Sequence, residues 1–239
     1  MKSKLVDVMV IVVLACAVLS IPDHVETAQH VWKAAERPVV VLDPGHGGID
    51  GGAEGIDGTC EKDINLSIAL DLKSRLDKEG FRVVMTRTSN GGLYEDDGKS
   101  SIRTLKTRDM HERKRIIDEA APDLTVSIHL NSFSQDASVK GAQVFYPGSG
   151  ETELTEKSRI AAELIQAGLN ENINTDKKRN AMGKEDIFLL KDVSSPIVIA
   201  ECGFLSNPED LKNLKTTEYQ TNISKSLKAS ICKYFARCQ

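Results

Sequence analysis

Val39-Val40-Val41-Leu42-Asp43-Pro44-Gly45-His46-Gly47-Gly48 is the stretch from which the rest of the fold is read. Four apolar residues, three of them β-branched, run unbroken to Asp43, which predicts a buried strand over 39–43. Pro44-Gly45 stops it. Outward from there the chain alternates. Residues 61–79 predict a helix: Ile64, Ile68, Leu72 and Leu76 recur every fourth residue, Leu66 and Leu70 widen that face, and Gly80 ends it. Strands are expected over 82–87, 123–129, 141–146, 187–190 and 197–202. Helices are expected over 103–121, 152–172, 208–214 and 217–236. The order β-α-β-α-β-β-α-β-β-α-α predicts an α/β fold: a single domain around a mixed, mainly parallel sheet of about six strands, with helices on both faces. In such sheets the reactive site lies beyond the carboxyl ends of the strands.

Length and composition bound the function. The chain has 239 residues, 40% of them hydrophobic, with a formal net charge of −4, enough for one substantial domain and a tail. Mild acidity and 5% aromatics argue against nucleic-acid binding by bulk charge or base stacking. Five cysteines are too few for a disulfide scaffold. Lys2 and Lys4 precede an apolar run over 8–21, too short for an ordinary span and typical of a signal-peptide core. Residues 1–28 are therefore expected to be a signal peptide or signal anchor, 29–37 a polar tether, and 38–239 the catalytic domain. Val13-Leu14-Ala15-Cys16 also leaves a lipidated leader open. Each version exports the chain across the cytoplasmic membrane to the cell envelope, with membrane contact only through this segment.

The strand ends carry metal-type chemistry. His46 follows the first strand, His129 closes the third, Glu201 closes the last, and Glu61 opens the first helix. Two imidazoles and a carboxylate suit a catalytic zinc site, and a second carboxylate can move protons to a leaving group. Against this, a histidine ending an apolar strand is usually structural, and a Gly-rich turn is usually a tight turn or phosphate cradle. The phosphate reading fails in detail. Residues 45–58 lack Gly-x-x-x-x-Gly-Lys-Ser/Thr and carry Asp50, Glu54 and Asp57. No Gly-x-Ser-x-Gly elbow supports a serine hydrolase. Cys202 with His129 leaves a cysteine hydrolase as the rival enzyme, although strand alternation turns Cys202 away from Glu201. Arg113-Lys114-Arg115 reads as a solvated helix face, His111 as exposed, and Ser89 to Lys99 as a solvated loop with an acidic tip. Cys232 and Cys238 read as free thiols.

Four blocks in order carry a family resemblance. They are Val41-Leu42-Asp43-Pro44-Gly45-His46-Gly47-Gly48-Ile49-Asp50-Gly51-Gly52-Ala53, then Glu61-Lys62-Asp63-Ile64-Asn65-Leu66, then Ser127-Ile128-His129-Leu130-Asn131, then Glu201-Cys202-Gly203-Phe204-Leu205-Ser206-Asn207. With Thr86-Arg87 they resemble the zinc-dependent N-acetylmuramoyl-L-alanine amidases of the amidase-3 type over roughly residues 38–236. The resemblance implies one Zn2+ per chain on His46, Glu61 and His129, with Glu201 as the catalytic carboxylate. Asn131 is expected to orient substrate or to serve as a plain turn residue, and Arg87 to contact a nearby carboxylate or the stem peptide or to form a structural ion pair. It implies peptidoglycan as substrate, cleaved between N-acetylmuramic acid and L-alanine, and leaves room for an accessory or activator protein. The block Asp186-Ile187-Phe188-Leu189-Leu190-Lys191 and Cys202 are similar to the sporulation and germination branch. That branch strips stem peptides so that muramic lactam forms in the spore cortex. A vegetative autolysin, or a non-catalytic wall-binding protein on the same fold, remains as the alternative.

Overall fold

The structure, a computed structural model, describes residues 37–150 and 152–237. The leader over 1–28, all of the tether but Arg37, and Cys238 lie outside the described residues. Among the described residues there are six strands: β1 (Val39–Pro44), β2 (Arg82–Met85), β3 (Leu124–Asn131), β4 (Gln143–Pro147), β5 (Met182–Lys184) and β6 (Ile197–Phe204). The helices are α1 (Glu61–Lys78), α2 (Ile102–Ala120), α3 (Glu153–Asn172), α4 (Phe188–Asp192), α5 (Pro208–Leu214) and α6 (Thr217–Arg237). One sheet runs in the order β2-β1-β3-β6-β4-β5. β1, β2, β3 and β6 are parallel, so their carboxyl ends meet at one edge. β4 runs antiparallel to β6 and parallel to β5, so the sheet is mixed and mainly parallel, as expected.

Alternation along the strands divides the core. Val40, Leu42, Val126, Ile128, Val198, Ala200 and Cys202 pack with α1, α3 and α6, where Ile68, Ile165 and Ile231 are fully buried. Val41, Ile197 and Ile199 pack on the other face with Ile117 of α2 and with Leu189 and Leu190 of α4. Side chains of one strand point to opposite faces in turn. Asp43, His129 and Glu201 therefore share the α2 side, and Asp43 meets Arg113 there.

Two expectations are corrected. The strand read over 187–190 is helix α4. Leu189 and Leu190 are neighbours in sequence and both buried, which a half-buried strand does not allow, and a short apolar run cannot separate the two forms by pattern. The strand lies earlier, at the exposed edge segment β5, which pairs with Phe145, Tyr146 and Pro147 and carries no apolar pattern. Arg113 is not part of a solvated face. It is 1% exposed, because Leu105, Asp109, Arg113 and Ile117 form the buried stripe of α2. Arg115 is exposed, as expected of the outer face, and so is His111, which touches the Phe188 ring edge-on.

Candidate metal centre

His46 sits two residues past β1 in the left-handed region, at φ +62°. A residue with a Cβ holds that conformation only where its surroundings over-determine it. The surroundings here are polar and specific. Arg87 donates to the carbonyls of Pro44 (2.9 Å), Gly45 (2.9 Å), Ser89 (2.9 Å) and Lys62 (2.8 Å). Gly47 and Asp50 exchange main-chain hydrogen bonds of 3.0 Å. Tyr94 Oη accepts from the Ile49 amide at 2.8 Å, and the Gly48 amide donates to Asn90 O at 2.7 Å. The Ser89 to Lys99 loop is thus docked on the Gly-rich turn, while its tip Glu95-Asp96-Asp97 is exposed.

Glu61 opens α1, and the turn closes onto it. Its Oε2 accepts from the Ala53 amide at 2.7 Å. Its Oε1 accepts from the Leu130 amide at 3.0 Å and from Asn65 Nδ2 at 3.1 Å. The same oxygen lies 3.2 Å from His46 Nε2 and 3.0 Å from His129 Nδ1. Two glycines make this approach geometrically necessary. A Cβ on Gly45 would lie 2.2 Å from His129 Cε1, and one on Gly52 would lie 2.5 Å from Glu61 Oε2. His46, Glu61 and His129 thereby converge, each offering one ligand atom, all within 4.8 Å of one another.

The donor set fits a zinc-like cation. Bonds of about 2.0 Å to nitrogen and oxygen in a tetrahedron put neighbouring ligand atoms about 3.3 Å apart, close to the 3.2 and 3.0 Å from Glu61 Oε1 to the His46 and His129 nitrogens. His46 Nδ1 lies 2.9 Å from Asp50 Oδ2, and Asp50 Oδ1 lies 2.7 Å from Lys106 Nζ. A carboxylate on the far nitrogen fixes the tautomer and aims Nε2 at the ion. Burial would lower the His46 pKa, but the hydrogen bonds and charges of Asp50 and Glu61 raise it to about 9. Burial opposes the charge on Glu61, yet His129 and His46 hold it well below the usual carboxylate range.

Glu201 is paired in register with His129 across β3 and β6. It is partly buried, and its Oε2 is shielded from solvent with no hydrogen-bond partner. Burial pushes its pKa up; after the opposing pull of His129 and the push of Glu61 it stands at about 7. An unpartnered carboxylate beside three convergent ligands is poised to exchange a proton. Cys202 points the other way, into the core with α1, α3 and α6. It is fully buried, donates to Ala200 O at 3.5 Å, and burial pushes its thiol up, so it is unsuited to act as a nucleophile.

The two expected substrate contacts sit differently. Asn131 ends β3, where the pairing with β6 shifts register. Its Oδ1 accepts from the Ser132 amide at 2.8 Å, and its carbonyl accepts from Leu205 N. Arg87 is 3% exposed, and the four carbonyls it serves place it under the turn as a scaffold. Asp50 and Arg113 escaped the sequence reading. A carboxylate four residues after a histidine in a turn, and an Asp–Arg pair inside an apolar helix stripe, are the signals that mark them.

Comparison with known proteins follows the same chemistry. The family model described as N-acetylmuramoyl-L-alanine amidase (Amidase_3) matches residues 40–233. The chain is 36% identical over 210 residues to the germination-specific N-acetylmuramoyl-L-alanine amidase of Bacillus subtilis (strain 168), covering 85% of this chain and 84% of that one. Among solved structures it is similar to the CwlD amidase of Clostridioides difficile, determined in complex with the GerS lipoprotein. The TM-score is 0.79 at 36% identity, covering 84% of this chain and 99% of that one. The AmiC2 amidase of Nostoc punctiforme matches with a TM-score of 0.68 at 30% identity, covering 83% of this chain and 97% of that one.

Proposed function

The chain belongs to the N-acetylmuramoyl-L-alanine amidase family, and from that premise we propose that it is a zinc enzyme that removes stem peptides from peptidoglycan during formation of the spore cortex. The observation that supports this best is the convergence of His46, Glu61 and His129 beside the unpartnered Glu201 oxygen. His46, Glu61 and His129 would hold one Zn2+. When bound, zinc would act as a Lewis acid that polarises the scissile carbonyl and acidifies water at the site. The chain's own residues do the rest. Asp50 holds the His46 ring in place through Nδ1. Glu61 is held in place by the Ala53 and Leu130 amides and keeps its charge, despite burial, through His129 and His46. Glu201 Oε2 takes a proton from the attacking water and returns it to the departing L-alanine amine, a role that its burial beside the cluster and its unpartnered oxygen suit. Asn131 borders the site and orients the substrate. Arg87 supports the turn rather than touching substrate.

The cortex assignment rests on likeness to the germination-specific relative. An accessory lipoprotein is proposed for this chain by the same reasoning, from the complex in which the CwlD amidase was solved. Residues 1–28 are proposed as the export leader. No helix among the described residues is long and apolar enough to cross a membrane.

The test has two arms. Full-length protein with Zn2+ is incubated with purified peptidoglycan, and new L-alanine amino groups are measured. Muropeptides from the cortex of a strain lacking the protein are analysed for muramic lactam. Release of amino groups with loss of the lactam supports the reading. Release with lactam intact and a cell-separation defect replaces the cortex role by that of an autolysin. No release, with or without an added accessory lipoprotein, favours a wall-binding protein.

A further inference from the structure

We propose that Arg113 is a positioning residue for the metal centre: it fixes the main chain of His46 and so sets how tightly the His46–Glu61–His129 cluster holds a divalent cation. This rests on the metal reading above. Arg113 lies in the middle of α2, on the sheet face that Asp43 shares. Its Nε donates to Asp109 Oδ2 at 2.6 Å. Its Nη1 donates to Asp43 Oδ1 at 2.5 Å and to Pro44 O at 2.8 Å. Its Nη2 donates to the carbonyl of His46 itself. One planar cation therefore grips the carbonyls on either side of Gly45. Arg87 takes the Pro44 carbonyl from another direction and the Gly45 carbonyl between them. Three successive carbonyls are thus turned toward two guanidinium groups, and the His46 φ of +62° is the conformation that this arrangement enforces.

The anchor itself is braced. Asp43 is fully buried and also accepts from Thr86 Oγ1 at 2.6 Å and Ser127 Oγ at 2.7 Å. Asp109 accepts from the Leu93 amide at 2.7 Å, which ties in the loop whose Tyr94 caps Ile49. Arg113's hydrogen bonds reach a ligand residue only at the His46 carbonyl, so its lever on the cluster is the backbone that aims the His46 ring. A lysine cannot replace it, because one ammonium lacks the fixed fork that spans two carbonyls and two carboxylates.

Removing a buried cation alone would strand Asp43 and Asp109, so two variants of the full chain are needed. Arg113→Lys keeps the charge. Arg113→Met with Asp43→Asn and Asp109→Asn removes the charges together. Metal-free protein is titrated with Co2+ and with Zn2+ against a competing chelator, and the visible spectrum of the cobalt form is recorded. The core variant Leu227→Ala, in α6 on the opposite face, controls for lost stability. Both Arg113 variants are expected to fold by circular dichroism, to bind about 10- to 100-fold more weakly, and to give a shifted cobalt spectrum, while Leu227→Ala keeps wild-type affinity and spectrum. Folded variants with wild-type affinity and spectrum overturn the proposal. So does an equal loss of affinity in Leu227→Ala, or failure of both Arg113 variants to fold, since either assigns Arg113 to stability alone. A wild-type chain that binds neither ion would instead refute the metal reading on which the proposal depends.

Discussion

At His46 both ring nitrogens face carboxylates, Asp50 on Nδ1 and Glu61 on Nε2. With its pKa raised to about 9, the metal-free side chain is protonated at neutral pH, and an ion must displace a proton from Nε2 to bind. Metal uptake near pH 7.5 is therefore expected to release about one proton per chain, and the apparent affinity to climb as pH rises toward 9. Calorimetry in buffers of different ionisation enthalpy measures this directly. Proton-neutral binding would contradict the assigned pairing. At Glu201, replacement by Gln is expected to leave Zn2+ stoichiometry unchanged and to cut release of L-alanine amino groups by roughly 10²- to 10⁴-fold. Undiminished hydrolysis would remove Glu201 from the mechanism. Asp43 makes a stability prediction. Burial opposes its charge, but Arg113, Thr86 and Ser127 lower its pKa from 3.8 to about 2. A depressed carboxylate stabilises the fold above its ordinary value, and the gain is lost as pH falls through the folded value. The contribution is on the order of 2 kcal/mol. Asp43→Asn should flatten the acid side of the stability curve between those two values, as read by denaturant unfolding at each pH. His46, Glu61, His129 and Glu201 were legible because each was read near the end or start of an element and falls in one of the four ordered blocks of the family resemblance, although His129 and Glu201 lie inside β3 and β6. Arg113 was not, because its partners Asp43 and Asp109 come from different elements and only the folded chain brings the three together.

At the scale of elements, the Gly-rich segment does the joining. Seven of the 17 glycines fall within residues 45–58. The segment is a pinned turn, held by Arg87, Arg113, Tyr94 and its own main chain. The glycines serve close approach. Gly52 has φ +74°, and a Cβ there would lie 2.7 Å from His46 Cδ2. Gly98 has φ +66° with nothing within 4 Å. Gly52→Ala and Gly98→Ala should each cost about 1–2 kcal/mol from the left-handed backbone. Only Gly52→Ala should also lose metal affinity, and equal affinity in the two variants would count against a ligand cradle at Gly52. Periodicity located α1 within one residue because Ile64, Ile68, Leu72 and Leu76 repeat every fourth residue over more than three turns. It failed at α4 and β5, where five and three residues are too few to show a period and where Leu189 and Leu190 bury through contacts with Ile117, Ile197 and Ile199 on other elements.

At the scale of the whole molecule, the site sits at the carboxyl-end side of the parallel strands β1, β3 and β6, and its ligands come from the turn after β1, from α1 and from β3. A bound ion would add a further tie among elements already joined by the sheet, by the packing of α1 on it and by the hydrogen bonds of Glu61. Ligand binding to the folded state alone stabilises by about 2.7 kcal/mol at a free concentration one hundred times Kd. Chelation should accordingly lower Tm and added Zn2+ restore it, with Glu201→Gln showing the same shift as wild type; a Tm indifferent to chelator would argue against a resident ion. Fold class and sheet edge were readable from the order of elements, since parallel strands need crossovers and crossovers bring carboxyl ends together. The antiparallel placement of β4 was not, because a 141–146 strand pattern carries no direction. The order of the strands also sets a sequence in time. His46, Glu61 and His129 all precede residue 132, within the adjacent strands β2, β1 and β3 and the elements between them, whereas Glu201 rides on β6, which must enter between β3 and β4 to close the sheet. During synthesis the chain acquires its metal ligands long before its proton carrier. β6 also pairs with β3 and β4, and α6 after it packs in the core, so the four site residues and the fold are complete only when this last segment is in place.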